Sequence, residues 1–252
     1  MTPQRKYPQA DVKILYGLAA GRCSLPNCRS EIILDDSLAK GRQHIGEIGH
    51  IVAHSDDWTR GDPSYPREKL DTYENWILLC PTCHATVDVK DSKYTTNDLR
   101  SLKENHEAWV QTSLATEIPG VGFAELEVVA KAIAVSPAAP SEDFHITPPL
   151  SKMVRNSLTA PIQNLLVMGL SKSREVHSFV EHVALLDSAF PERLKAGFVK
   201  EYALLRTSGL AGDSLFEAMH QFASSGNRGF RGQAAGLAVL TYLFERCEVF
   251  EK

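Results

Sequence analysis

The sequence predicts an α+β protein built in two parts. Three observations carry that expectation. Four of the five cysteines, Cys23, Cys28, Cys80 and Cys83, fall in the first third of the chain. Between the two cysteine pairs lie short apolar runs, "IGEIGHIVA" and "NWILLC", with the length and β-branched content of strands. From residue 151 to the end, the apolar residues recur with helical spacing.

The elements follow in order. "DVKILYGLAAGR" reads as a short amphipathic helix leading into the first cysteine pair. "IGEIGHIVA" reads as extended, "SDDWTRGDPSYPREK" as a polar loop carrying two prolines, and "NWILLC" as a second strand. "PTCHATVDVKD" opens a helix at or near Thr82, a plausible N-cap. "TNDLRSLKENHEAWVQTSL" is a helix by periodicity, with Leu99, Leu102, His106, Trp109, Val110 and Leu114 on one side. Residues 116–150 include "VSPAAPSEDFHITPP", a Pro-, Ala- and Ser-rich stretch that reads as a linker. Beyond it, helices are expected at 160–169, 172–187, 191–208, 212–224 and 231–246. The last, "GQAAGLAVLTYLF", is apolar on most faces and belongs at the centre of its domain or against a partner. The expected domains are therefore residues 1–115, a linker at 116–150, and a helical domain at 151–252.

Composition narrows the class. Hydrophobic residues make up 43% of the 252 and charged residues 23%, enough apolar material for a core without disulfides. No apolar run approaches a membrane span, and "MTPQRKYPQADVK" lacks the apolar segment of a secretory signal, so a cytoplasmic protein is expected. The formal charge of −4 argues against a protein that holds nucleic acid by bulk electrostatics. Contact with DNA would need a local patch, a metal ion or a partner.

The cysteines have the spacing C-x4-C (Cys23, Cys28) and C-x2-C (Cys80, Cys83). Two such knuckles can present four thiolates to a tetrahedral Zn²⁺. A closed four-cysteine site leaves no open position for substrate, so this zinc is structural. In an oxidising compartment the same residues would instead form two disulfides. Cys247, alone in a helical run, reads as a core residue.

The residues between the knuckles carry a resemblance. "GEIGHI" precedes "ENWILLCPTCHATVD", which gives the ordered set His50, Asn75, Cys80, Cys83, His84. Over roughly residues 12–110 this resembles the zinc-stapled branch of the HNH nucleases, a ββα-metal site within a treble-clef-like zinc fold. The resemblance implies a metal-dependent DNA endonuclease. His50 would be the general base on water, and Asn75 would orient the loop carrying it. His84 would help hold one catalytic Mg²⁺ or Mn²⁺, with Asp88 one turn later orienting it. The chain departs from the family where many members place an acidic metal ligand directly before the base, because Gly49 stands there. Glu47 is the nearest carboxylate and a candidate ligand, although regular alternation puts residues 47 and 50 on opposite strand faces unless a bulge intervenes near Gly46 or Gly49. His54 reads as a loop residue near the site. Arg42, Arg60, Arg67, Lys69, Lys90 and Lys93 could reach DNA phosphates or simply face solvent.

The second half carries a further resemblance, over roughly residues 120–252. "DFHITPPLSKMVRNSLTAPIQNLLVMG", "FPERLKAGFVKEYALL" and "AAGLAVLTYLFERCEVFEK" resemble the C-terminal domain of effector subunits in bacterial three-component defence systems of the Lamassu type. These systems are built around an SMC-like ABC ATPase. The resemblance implies docking to that ATPase and to a third subunit, with the nuclease restrained until foreign DNA is sensed. A homo-oligomer is plausible, since a one-metal site needs two copies to cut both strands. Two rivals stay open: a zinc-stabilised module that binds DNA or protein without cutting, and a stand-alone restriction-type nuclease.

Overall fold

The structure, a computed structural model, describes residues 5–36, 41–89, 92–135, 149–246 and 249–250. It is α+β and divides into two compact units, residues 1–110 and 111–252.

In the first unit, helix α1 (Gln9–Leu18) turns Leu15 and Leu18 into the core. A two-stranded antiparallel sheet follows, β1 (Ile33–Asp36) with β2 (Gly41–His44), which the apolar pattern does not announce. The second sheet is β3 (Glu47–His50) against β4 (Trp76–Leu79), also antiparallel, pairing Glu47 with Leu79, Gly49 with Ile77 and His50 with Trp76. All four residues of β4 are buried, as a continuous apolar strand covered on both faces should be. Helix α2 (Pro81–Val87) follows directly and packs on β3 and β4. Its N-cap is Cys80, not Thr82: Pro81 takes the first helical position, where its fixed φ fits and its missing N–H costs nothing. The core of this unit gathers Leu15, Ile32, Ile51, Trp76, Val87 and Leu99.

The connection between β3 and β4 is compact. Ala53 N–H donates to the Arg60 carbonyl at 2.9 Å, and Gly61 N–H to that of Trp58 at 2.8 Å. A Cβ on Gly61 would sit 2.2 Å from the Asp56 carbonyl oxygen, so only glycine fits this turn. A 3₁₀ turn at Arg67–Lys69 and another at Tyr73–Asn75 complete the path.

Helix α3 (Thr96–Glu117) runs across the division at residues 110/111. The expected linker is helical in its first half: a 3₁₀ turn at Ile118–Gly120 leads to α4 (Phe123–Ile133). Leu126, Val129, Ala130 and Ile133 give α4 a buried face against the helices of the second unit, so residues 123–133 belong to that unit. The Pro- and Ala-rich stretch at 136–148 lies outside the described residues, as does Cys247.

The remaining helices are α5 (Pro149–Arg155), α6 (Ala160–Leu170), α7 (Ser173–Leu186), α8 (Phe190–Thr207), α9 (Gly212–Ala223) and α10 (Phe230–Arg246). Helix α10 is central, as its apolar character predicts: every residue from Ala234 to Phe244 is buried, against α4, α6, α7 and α9. Buried Lys152 donates from Nζ to the Phe244 carbonyl at 2.7 Å, satisfying a carbonyl in the last turn of α10. No helix among the described residues is long and apolar enough to cross a membrane.

Candidate metal centre and adjoining histidine site

The two cysteine knuckles meet. The Sγ atoms of Cys23, Cys28, Cys80 and Cys83 all lie within 4.8 Å of one another, and all four are free thiols, not disulfides. The first knuckle is a turn closed by Cys28 N–H to the Leu25 carbonyl at 3.0 Å, and Ser24 N–H ties it to the Leu78 carbonyl of β4 at 2.8 Å. The second is the N-terminus of α2, where Cys80 caps the helix and Cys83 stands in its first turn. A tetrahedral Zn²⁺ with Zn–S near 2.3 Å has S···S edges of about 3.8 Å. The Cys28–Cys80 separation is 3.8 Å. Without an ion, burial favours the neutral thiol at two of the four. Burial pushes the Cys23 pKa up to about 11 and the Cys83 pKa well above its ordinary value. Burial opposes ionisation at Cys28 too, but hydrogen bonds with Ser30 and the neighbouring thiols outweigh it and bring its pKa down to about 7. A dication would hold all four as thiolates. The residues present fit a metal ion such as zinc.

Asn75 is 1% exposed and satisfied on every side. Its Oδ1 accepts from Val52 N–H at 2.8 Å, and its Nδ2 donates to the carbonyls of Val52 and Leu70 at 3.0 Å each. These bonds pin the chain just after β3 to the segment entering β4.

His50 closes β3 and is 5% exposed. Its Nε2 is 3.0 Å from Asp71 Oδ1, and the Trp76 indole N–H points at the same nitrogen from 3.3 Å. Burial holds the His50 pKa below the usual histidine value, with the Asp71 contact opposing the shift and the charge of Arg5 adding to it. The ring therefore favours the neutral form a general base requires. His50 lines a cavity of about 250 Å³ together with His54, Trp58, Arg5, Arg60 and Asp88. His54 is itself buried, with Nε2 3.8 Å from the second oxygen of Asp71.

His84 stands on α2 between two carboxylates. Glu47 Oε2 is 3.1 Å from its Nδ1, and Asp88 Oδ2 is 3.4 Å from its Nε2. A ring nitrogen that carries its lone pair could share a divalent ion with the carboxylate it faces. The two carboxylates approach opposite sides of the ring. Among the described residues only the four cysteines form a group of three or more possible ligands within 4.8 Å. An ion here would thus rest on a histidine–carboxylate pair, completed by water and substrate oxygens, as is usual for Mg²⁺.

Strand alternation works as expected, with a different consequence. Glu47 and His50 do face opposite sides of β3, but His84 packs on the Glu47 side. A Cβ on Gly49 would lie 3.5 Å from His84 Cδ2, on that same side. Glu47 thus reaches His84 without any bulge.

Arg60 is the largest departure from expectation. It is 5% exposed and cannot serve as a surface phosphate contact. Its guanidinium donates to the carbonyls of Ile51 (3.1 Å), Val87 (2.9 Å) and His50 (3.3 Å) and pairs with Asp88 Oδ1. Asp88 thereby touches His84 with one oxygen and Arg60 with the other, linking the end of β3 to α2. Arg67 pairs with Asp56 at the surface. Lys90 and the side chain of Arg42 lie outside the described residues. Asp71 and Arg60 carried no sequence signal of their own, because both sit in a polar, charge-mixed loop.

No family model matches the chain, and no curated protein matches it.

Proposed function

We propose that the first unit is a metal-dependent endonuclease of the HNH type that hydrolyses DNA phosphodiester bonds. One observation carries the reading: a neutral-leaning, buried His50 at the end of β3 shares a cavity with Asp88, which in turn contacts His84 on the helix following β4. This strand–strand–helix arrangement beside four clustered cysteines agrees with a ββα-metal site in a treble-clef-like fold. In the proposed reaction His50 takes a proton from the attacking water. His84, with Glu47 and Asp88 beside it, would hold Mg²⁺ or Mn²⁺, which supplies charge stabilisation at the phosphate and leaving oxygen. Asn75 keeps the segment after His50 in place. Zinc at the four cysteines stabilises the fold and takes no part in the chemistry.

The helical unit would dock this nuclease to an SMC-like ABC ATPase and a third subunit of a bacterial defence complex. That part rests on the sequence resemblance. Strongly exposed apolar side chains on α7, Leu185 and Leu186 at 85% each, are compatible with a docking role. A net charge of −4 is compatible with weak intrinsic DNA affinity and a partner that delivers the DNA.

The test is nicking of supercoiled plasmid, by the protein alone and with the products of neighbouring genes, in Mg²⁺ or Mn²⁺ and with chelator. The proposal expects metal-dependent nicking that is lost in His84→Ala. Absence of cleavage under every condition would favour a non-cutting zinc-stabilised binding module. Full activity without any partner would favour a stand-alone nuclease.

A further inference from the structure

We propose that Asp71 is the positioning residue of the His50 site, fixing the imidazole as the tautomer protonated on Nε2 with its lone pair on Nδ1. The inference rests on the nuclease reading for its functional consequence, but its structural core is independent of it.

Two groups compete for His50 Nε2. The Asp71 carboxylate, 3.0 Å away, can only accept and so requires a proton there. The Trp76 indole N–H, 3.3 Å away, can only donate and so requires a lone pair there. Both demands cannot be met. The carboxylate contact is shorter and charge-assisted, so it prevails. Both of these contacts fall on Nε2 and the residue lines the cavity, which leaves Nδ1 as the nitrogen able to take a proton from water. Without Asp71, the indole would be left to draw the lone pair onto Nε2 and place the proton on the nitrogen that must do the work.

Asp71 is itself held in place. Its second oxygen, Oδ2, accepts from the backbone N–H of Lys6 at 2.7 Å. That bond gives the substitution Asp71→Asn a definite outcome. The amide oxygen must face the Lys6 N–H, because the amide NH₂ cannot accept from it. The NH₂ group then faces His50 Nε2 and donates to it alongside Trp76. The imidazole is forced to carry its proton on Nδ1. A near-isosteric change would thus disarm the base while leaving fold and zinc site untouched.

The experiment reads the tautomer directly, by ¹⁵N NMR of the side-chain nitrogens in histidine-labelled full-length protein. The His50 signals are assigned by their loss in His50→Ala. Wild type should show a protonated Nε2 and a bare Nδ1, Asp71→Asn the reverse, and Asp71→Glu the wild-type pattern. Zinc content and far-UV circular dichroism should be the same in all three. In the plasmid assay Asp71→Asn should lower kcat by roughly 10³–10⁴-fold, the scale seen when a base histidine is held in the wrong tautomer, with KM little changed. Asp71→Glu should recover a substantial part of the rate. A protonated Nδ1 in wild type, or an unchanged pattern in Asp71→Asn, would overturn the inference. If the tautomers behave as stated but wild type cuts no DNA, the nuclease reading fails and the positioning of His50 by Asp71 stands.

Discussion

Asn75→Ala should selectively unravel the first unit. The side chain is buried and makes three hydrogen bonds, with Val52 N–H, the Val52 carbonyl and the Leu70 carbonyl. Both partner residues are buried as well, Val52 at 2% and Leu70 at 4% exposure, so water cannot readily replace the lost amide. Each orphaned buried group costs about 1–3 kcal/mol, so the three together should cost at least about 3 kcal/mol. With a urea m-value of roughly 2 kcal/mol/M, the unfolding midpoint should fall by at least about 1.5 M. The assay is clean because all three tryptophans, Trp58, Trp76 and Trp109, lie in the first unit. Urea unfolding followed by tryptophan fluorescence therefore reports that unit alone. Asn75→Asp should be no milder despite its shape, because a carboxylate would face two carbonyl oxygens. A midpoint shift below about 0.5 M for Asn75→Ala would refute the hydrogen-bond reasoning, since at that m-value it corresponds to less than one orphaned group.

Other expectations follow from the same geometry. Cleavage should persist as pH is lowered through about 6.5, the ordinary histidine value, because burial holds the His50 pKa below it; an acid limb centred above that value would contradict this. The same shift bears on stability. The unfolded chain takes up the His50 proton more readily, so this contribution is complete above about 6.5 and is lost as pH falls from there through the folded value, measurable as a falling urea midpoint. Cys28→Ser, or strong chelation, should remove the metal and shift tryptophan fluorescence while most of the far-UV helical signal, which comes from α4–α10, remains. Arg60→Met should cost about 3 kcal/mol in the same urea assay, because it orphans the carbonyls of His50, Ile51 and Val87 in buried surroundings. Gly49→Ala should cost about 1 kcal/mol, since its Cβ would press on Ile77 at 3.2 Å and Leu79 at 3.3 Å inside a filled core.

The parts of the molecule that were legible in the sequence are those set by local pattern. Cysteine spacing announces the four-cysteine cluster because each knuckle is built within a few residues. The helices of the second unit follow from apolar periodicity, and α10 from being apolar nearly all round. What stayed hidden depends on chain return. Arg60 looks like a surface cation until the loop after β3 folds inward and meets Asp88, some thirty residues later in the chain. Asp71 looks like one more loop carboxylate until the segment before β4 brings it to His50. The hairpin of β1 and β2 carries polar residues in both strands and so lacks a strand signature. Glu47 shows a subtler failure. Alternation was right about which way it points, but the sequence does not say that α2 covers that face of β3 and carries His84 to it.

The two histidines of "GEIGHIVAHS" also separate only in three dimensions. His50 and His54 do not converge on a metal; their rings meet edge to face at 5.7 Å, and both approach Asp71. His50 closes β3 against Asp71 Oδ1, and His54 packs beside it.

Whether His50 acts as the base is decided by plasmid cleavage with His50→Ala in Mn²⁺, beside wild type and under whichever partner conditions support wild-type activity. Cleavage should fall by several orders of magnitude, with zinc content and far-UV circular dichroism unchanged. Cleavage by His50→Ala at the wild-type rate would contradict that role.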